Sequence, residues 1–176
     1  MGKETGGCDM ELARGVAEND EASTATFFRA YHAGVYRYML CLTGNADDAE
    51  DLAQDSLLRA RSRIRSFRGE ASLKTWVHQV AFHTFTHWSR RRRPSAPFSP
   101  EIANGVEPYS QIDAAEALLR ALAKLDPAQA QPLVLQEANG LSVEEIARVL
   151  DIPAGTVKSR LFNARLRLRQ LLGESL

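Results

Sequence analysis

The chain has 176 residues, of which 44% are apolar and 25% charged, with 22 bases balanced by 22 acids. These proportions are ordinary for a soluble globular protein, and no run of about 18 apolar residues offers a membrane span. Cys8 and Cys41 are too few for a disulfide framework, the N-terminus has no apolar stretch of signal-peptide type, and a reducing cytoplasm is the expected compartment. The zero net charge hides blocks of opposite sign. Residues 1–55 hold 4 bases and 11 acids, 59–93 hold 10 and 1, 94–155 hold 3 and 9, and 156–176 hold 5 and 1. Two separated basic surfaces suit two stretches of nucleic acid, while the acidic blocks avoid DNA and suit a basic protein.

Residues 1–20 are polar and weakly patterned and read as a mobile N-terminal tail, with at most a short helix near Glu11–Glu18. From 22 to 42, Phe27, Phe28, Tyr31, Val35, Tyr38, Met39 and Leu42 recur at helical spacing, and Gly44-Asn45 ends the pattern. An aromatic stripe of this kind is first a core, not a base-stacking platform.

Residues 46–65 predict the next helix, with Ala49, Leu52, Ala53, Leu57, Ala60 and Ile64 inward. Its acids crowd the N-terminal half and its arginines the C-terminal half, as the helix dipole favours. Dipole matching does not require so many charges, and part of the excess points to partners. Asp51, Gln54, Asp55 and Leu58 share one outward face. Nothing on this helix offers a nucleophile or a pocket, so the paired carboxylates are not read as acid–base catalysts.

Residues 66–72 read as a loop carrying Phe67 and Gly69, followed by a helix over 73–93 with Trp76, Val77, Val80, Ala81 and Phe85 as core positions. Lys74, Gln79, His83, Thr86, His87 and Arg90 are expected on its outer side. His83 and His87 have a zinc-compatible spacing but no evident third ligand, and no metal is assigned. The run Arg90–Arg93, beside an aromatic-rich helix, suits phosphates. Residues 94–112 hold 4 of the 7 prolines and read as a linker.

Helical patterning resumes over 113–126, breaks at Asp126-Pro127, and runs again to Asn139-Gly140. Ser142 and Glu145 form a capping-box signature, and Ile146, Ala147 and Leu150 make an apolar face. Asp151-Ile152-Pro153 then breaks the helix. Val157, Leu161, Ala164 and Leu168 line the inner face of a second helix whose remaining surface carries Lys158, Arg160, Arg165, Arg167 and Arg169. This is a helix-turn-helix with a basic reading helix suited to the major groove. The predicted fold is all-α, in two small helical domains joined by a flexible linker.

The order of these motifs resembles an extracytoplasmic-function (ECF) sigma factor of bacterial RNA polymerase. DAEDLAQDSLLRA (48–60), SFRGEASLKTWVHQVA (66–81) and RRRRP (90–94) resemble sigma region 2; residues 118–172, with LSVEEIARVLDIPAGTVKSRLFNARLRLRQLL (141–172), resemble region 4. The resemblance implies a region 2-like domain at 21–93, the linker at 94–112 and a region 4-like domain at 113–176. It implies contact of Asp48, Asp51, Gln54, Asp55 and Leu58 with core polymerase, through its beta-prime and beta subunits. It assigns Phe67, Arg68, Gly69, Ser72, Lys74, His83, His87, Arg90, Arg91, Arg92 and Arg93 to the −10 element, where a base is held flipped from a single strand. It assigns Thr156, Lys158, Ser159, Arg160, Phe162, Asn163, Arg165 and Arg167 to the −35 element. Asn163 stands where the family frequently has a base, and Asn prefers an adenine edge. Pro132 interrupts a helix that is commonly continuous in the family, which implies a bend. No cofactor, catalytic residue or small-molecule substrate is implied; an anti-sigma factor, often membrane-anchored, is. The alternative is a stand-alone helix-turn-helix regulator, which leaves the acidic and aromatic-basic helices without a role. A nucleic-acid hydrolase lacks any supporting constellation.

Overall fold

In a computed structural model, residues 4–91, 118, 121, 122 and 124–173 are described. Arg92, Arg93 and the expected linker at 94–112 lie outside them. Among the described residues the fold is all-α, with no strand. The elements are α1 (Glu4–Ala17), α2 (Glu21–Thr43), α3 (Ala46–Arg63), a 3-10 turn (Ile64–Ser66), α4 (Leu73–Arg91), α5 (Pro127–Glu137), α6 (Val143–Leu150) and α7 (Ala154–Gly173).

Local chemistry sets most of the boundaries. Asp20 accepts from the Ser23 N–H at 2.7 Å and starts α2. Gly44, at φ 64°, ends that helix by donating to the Leu40 carbonyl, and Asn45 at once caps α3 through the Asp48 N–H at 2.9 Å. This tight junction folds α3 back along α2. Phe27, Val35, Tyr38 and Met39 of α2 then bury against Ala49, Leu52, Ala53, Leu57 and Ala60 of α3, and α4 closes the core with Leu73, Val77, Val80 and Ala81.

The expected N-terminal tail is corrected. Residues 4–17 form α1, and Ala13 and Val16 are buried. Leu12, Ala13, Val16 and Ala17 recur at i, i+1, i+4 and i+5, a real but short apolar stripe that glycines and acids dilute. Asp9 of this helix accepts from the Leu73 N–H at 2.8 Å, so α1 caps a helix 64 residues away. At the other end of α1, Arg65 reaches the Ala17 carbonyl at 3.3 Å.

Pro132 does not end its helix. Helix α5 runs through Pro132, which is buried. The proline forfeits one hydrogen bond to the preceding turn, in a stretch where Ala130, Leu133, Val134 and Leu135 are buried as well. Asp126 caps this helix through Ala128, with Pro127 in its first turn. The predicted capping box on α6 is present, with Ser142 Oγ accepting from the Glu145 N–H at 3.2 Å and Glu145 Oε2 accepting from the Ser142 N–H at 2.9 Å. Asp151, at φ 53°, ends α6. Ile146, Val149 and Leu150 then pack with Val157, Leu161 and Ala164 to make the helix-turn-helix.

The two helical units meet directly. Helix α5 lies on α2, and α6 lies on α4.

Candidate nucleic-acid and polymerase interfaces

Three surfaces carry the sequence-predicted site residues. On α3, Asp51 and Gln54 are exposed, Asp55 is half-buried, and Leu58 is 54% exposed. They follow one another at i, i+3, i+4 and i+7 and form one continuous strip. Gln54 donates to Glu50 Oε1 at 2.9 Å, and His32 Nε2 lies 3.0 Å from the same oxygen. The bonds from Gln54 and His32 hold the Glu50 carboxyl below the usual carboxylate range. Arg59 Nε pairs with Asp55 at 2.8 Å in a solvent-exposed i, i+4 bridge of small energetic weight. Asp48 lies half-buried in the first turn of the helix. Leu58 is the large apolar side chain that this acidic strip leaves exposed.

The second surface is the loop after α3 together with α4. Arg68 is exposed, and Gly69 takes φ 72° at the tip of the loop, where a Cβ would sit 3.1 Å from Met10 Sδ of α1. On α4, His83, His87, Arg90 and Arg91 are exposed and share one face. Three of the expected −10 residues do not join them: Phe67, Lys74, and Ser72, whose hydroxyl lies 2.7 Å from Thr75 Oγ1 and 3.1 Å from Glu145 Oε1. Phe67 is only 7% exposed and its ring packs against Trp76 with centroids 5.8 Å apart, so it braces the loop from inside. Lys74 precedes His83 by nine residues, about two and a half turns, and so points to the opposite side of the helix. Its ammonium lies 3.9 Å from where a Cβ on Gly140 would be. Trp76, expected as core, is half-buried and lines a cleft of about 490 Å³ with Arg68, Glu70, Gln79, Arg148 and Asp151.

The third surface is α7. Lys158, Ser159, Asn163 and Arg167 are exposed, and Phe162 is 68% exposed. Thr156 and Arg160 are half-buried on the side of Asn163 and Arg167, whereas Lys158 and Phe162 lie on the flank toward Arg165. Arg165, also exposed, donates to Gln136 Oε1 at 2.6 Å and to Glu137 Oε1 at 2.8 Å, tying α7 to the end of α5. Among the described residues, no group of three or more His, Cys, Asp or Glu is arranged to hold a metal ion. Cys41 is largely enclosed, and burial pushes its thiol up to about 11.

A fourth group was illegible in the sequence. His78 is 1% exposed on α4, and its Nδ1–H donates to the Lys74 carbonyl at 2.8 Å. Its Nε2 and Asn139 Oδ1 are buried without a hydrogen-bond partner among the described residues, and both lie beside Gly34 of α2. A Cβ at Gly34 would stand 2.8 Å from Asn139 Oδ1, so the absence of a side chain there lets the C-terminal unit close onto α2.

Comparison with known proteins shows the family of the chain. Residues 27–94 match Sigma-70 region 2 and residues 115–168 match Sigma-70, region 4. The chain is 32% identical over 167 residues, 94% of its length and 85% of the relative's, to the ECF RNA polymerase sigma factor SigM of Mycobacterium tuberculosis. The chain belongs to the ECF sigma factors. A factor of this family directs core RNA polymerase to promoters through −10 and −35 recognition. Solved structures agree with the assignment. Sigma factor RpoE of Bartonella quintana, in complex with the anti-sigma factor NepR, superposes with a TM-score of 0.67 at 25% identity over 83% of this chain and 94% of that one. CnrH, solved with the cytosolic domain of CnrY, shares the fold with a TM-score of 0.73 at 21% identity over 96% of this chain and 99% of that one. Among the described residues, no helix of this sigma factor is long and apolar enough to cross a membrane.

Proposed function

We propose that the three surfaces divide the work of this sigma factor. The α3 strip of Asp51, Gln54, Asp55 and Leu58, with Asp48 at its edge, binds core polymerase. The loop around Arg68 and Gly69, with His83, His87, Arg90 and Arg91 of α4 and the following Arg92 and Arg93, engages the −10 element. Lys158, Ser159, Phe162, Asn163 and Arg167 of α7 read the −35 element, with Asn163 favouring an adenine edge. The domains divide at 21–93 and 113–176, with α1 added to the first. The factor works in the cytoplasm, without catalysis of its own, and an anti-sigma factor restrains it.

The observation that carries this reading is the separation of one acidic, leucine-bearing strip from two basic surfaces on a single chain. A stand-alone DNA-binding regulator has no use for the acidic strip. Reversing its charge with Asp51→Arg and Asp55→Arg together is expected to abolish binding to purified core polymerase while leaving DNA binding by α7 intact. Polymerase binding that survives the double reversal sinks the interface assignment. Transcription with core polymerase on a supercoiled genomic library, with 5′ ends sequenced, then gives both promoter motifs.

A further inference from the structure

The outward residues of α3 fall in two rows. Glu50, Gln54 and Leu58 follow one another at four-residue steps, and Asp47, Asp51 and Asp55 run beside them. The first row borders α2, because His32 of that helix reaches Glu50: its Nε2 lies 3.0 Å from Glu50 Oε1. The same oxygen accepts from Gln54 Nε2 at 2.9 Å. One carboxylate oxygen therefore holds two side chains, one from each helix.

Chemistry fixes which way each group turns. A carboxylate only accepts, so His32 donates its Nε2–H and Gln54 turns its NH2 end to Glu50. The amide is planar, and its carbonyl oxygen is thereby directed away from Glu50. His32 is itself held. Its ring stacks on Tyr36, one turn further along α2, with 6.3 Å between centroids and 7° between planes. His32 and Glu50 are each 40% exposed, and Gln54 is exposed. A lone surface pair at i, i+4 is weak; the second donor, from α2, fixes the rotamer of Glu50 and with it the face that Gln54 presents. The Gln54 carbonyl then joins the carboxylates of Asp51 and Asp55, and the strip offers acceptors with Leu58 at its apolar end.

We propose that His32 and Glu50 are positioning residues for the polymerase-binding strip: together they hold the Gln54 amide with its carbonyl outward, so that the strip accepts from a partner face carrying arginine, lysine or amide donors beside an apolar site for Leu58. A partner carboxylate placed opposite Gln54 meets no donor, which gives the strip selectivity as well as affinity. That the partner is polymerase rests on the function proposed above; the link from His32 through Glu50 to Gln54 does not.

The test has two readouts on the full chain. In proton–nitrogen correlation spectra the Gln54 side-chain amide is expected to give an unequal proton pair, one proton being bonded to Glu50. Glu50→Ala and His32→Ala are expected to draw that pair to the position of a solvated glutamine, whereas Glu50→Gln, whose amide carbonyl still accepts, keeps it split. Affinity for purified core polymerase is expected to fall about fivefold in Glu50→Ala and in His32→Ala, the net worth of about one hydrogen bond, and to stay within about twofold in Glu50→Gln. In a Gln54→Ala background, His32→Ala is expected to cost nothing further, because its route to the partner is gone. A proton pair unmoved by both alanine variants overturns the link. Wild-type affinity in His32→Ala, an equal loss in Glu50→Gln and Glu50→Ala, or a His32→Ala loss repeated in full in the Gln54→Ala background overturns the positioning role. A pair that moves as expected, in a protein whose polymerase binding survives Asp51→Arg with Asp55→Arg, leaves the link standing and overturns the proposed function instead.

Discussion

At the scale of single residues, a few short polar side chains decide where this chain turns. Asp20, Asn45, Asp126 and Ser142 each satisfy N–H groups that a helix start leaves open. Ser142 is the sharpest case, because the reciprocal bond from Glu145 depends on it. Ser142→Ala is expected to cost about 1 kcal/mol of unfolding free energy, read as a lowered urea midpoint with unchanged m-value. Of these, Ser142 was legible in the sequence as a cap, because capping is a contact within three positions. The ties of Arg165 were hidden for the opposite reason. Its position on α7 suits DNA, but its partners Gln136 and Glu137 lie 28 and 29 residues away.

At the scale of elements, α1 changes the account most. Its apolar stripe is two turns long, and such a helix is marginal without something to pack on. The packing comes from α2, the 3-10 turn and α4, together with Asp9 at the N-terminus of α4. Val16→Ala, at a site only 2% exposed, is expected to lower stability by about 2 kcal/mol through lost burial and the cavity left behind. An unchanged urea midpoint would mean that α1 does not dock in solution. Because Met10 of α1 touches the loop at Gly69, this helix also supports the loop assigned to the −10 element.

At the scale of the whole molecule, the two helical units are coupled through groups that titrate. Burial lowers the pKa of His78 from its ordinary 6.5; the Lys74 carbonyl and the Asn139 amide favour the protonated ring, and the nearby charges of Lys74 and Arg37 disfavour it, with burial prevailing. For Glu145, burial is the largest influence and acts upward, yet the bonds from Ser142, Thr75 and Ser72 together outweigh it and hold the carboxyl below its usual range. Both groups are thus depressed in the folded, closed state. Each contributes stability above its unfolded pKa that is lost as pH falls through its folded value. The His78 contribution begins to fade below about pH 6.5, while that of Glu145 holds until below about 4.5. The urea midpoint is therefore expected to fall between pH 7.5 and 5.5, and His78→Phe to flatten that slope. An equal slope in the variant assigns the pH dependence elsewhere.

The sequence alone determined the helical segments after residue 20, the breaks between them, the capping box at Ser142, the alternation of charge, and the resemblance to sigma regions 2 and 4. All of these are written in contacts a few residues long or in patterns of 3.6-residue period. Tertiary structure decided that α1 docks, that Phe67 faces inward, that His78 and Asn139 meet beside Gly34, and that Glu145 serves two helices at once. The physical reason is distance along the chain. A cap 64 residues from its helix, or a carboxylate shared between positions 72, 75 and 142, leaves no periodic trace, because a long-range partner is fixed only when the core brings the elements together.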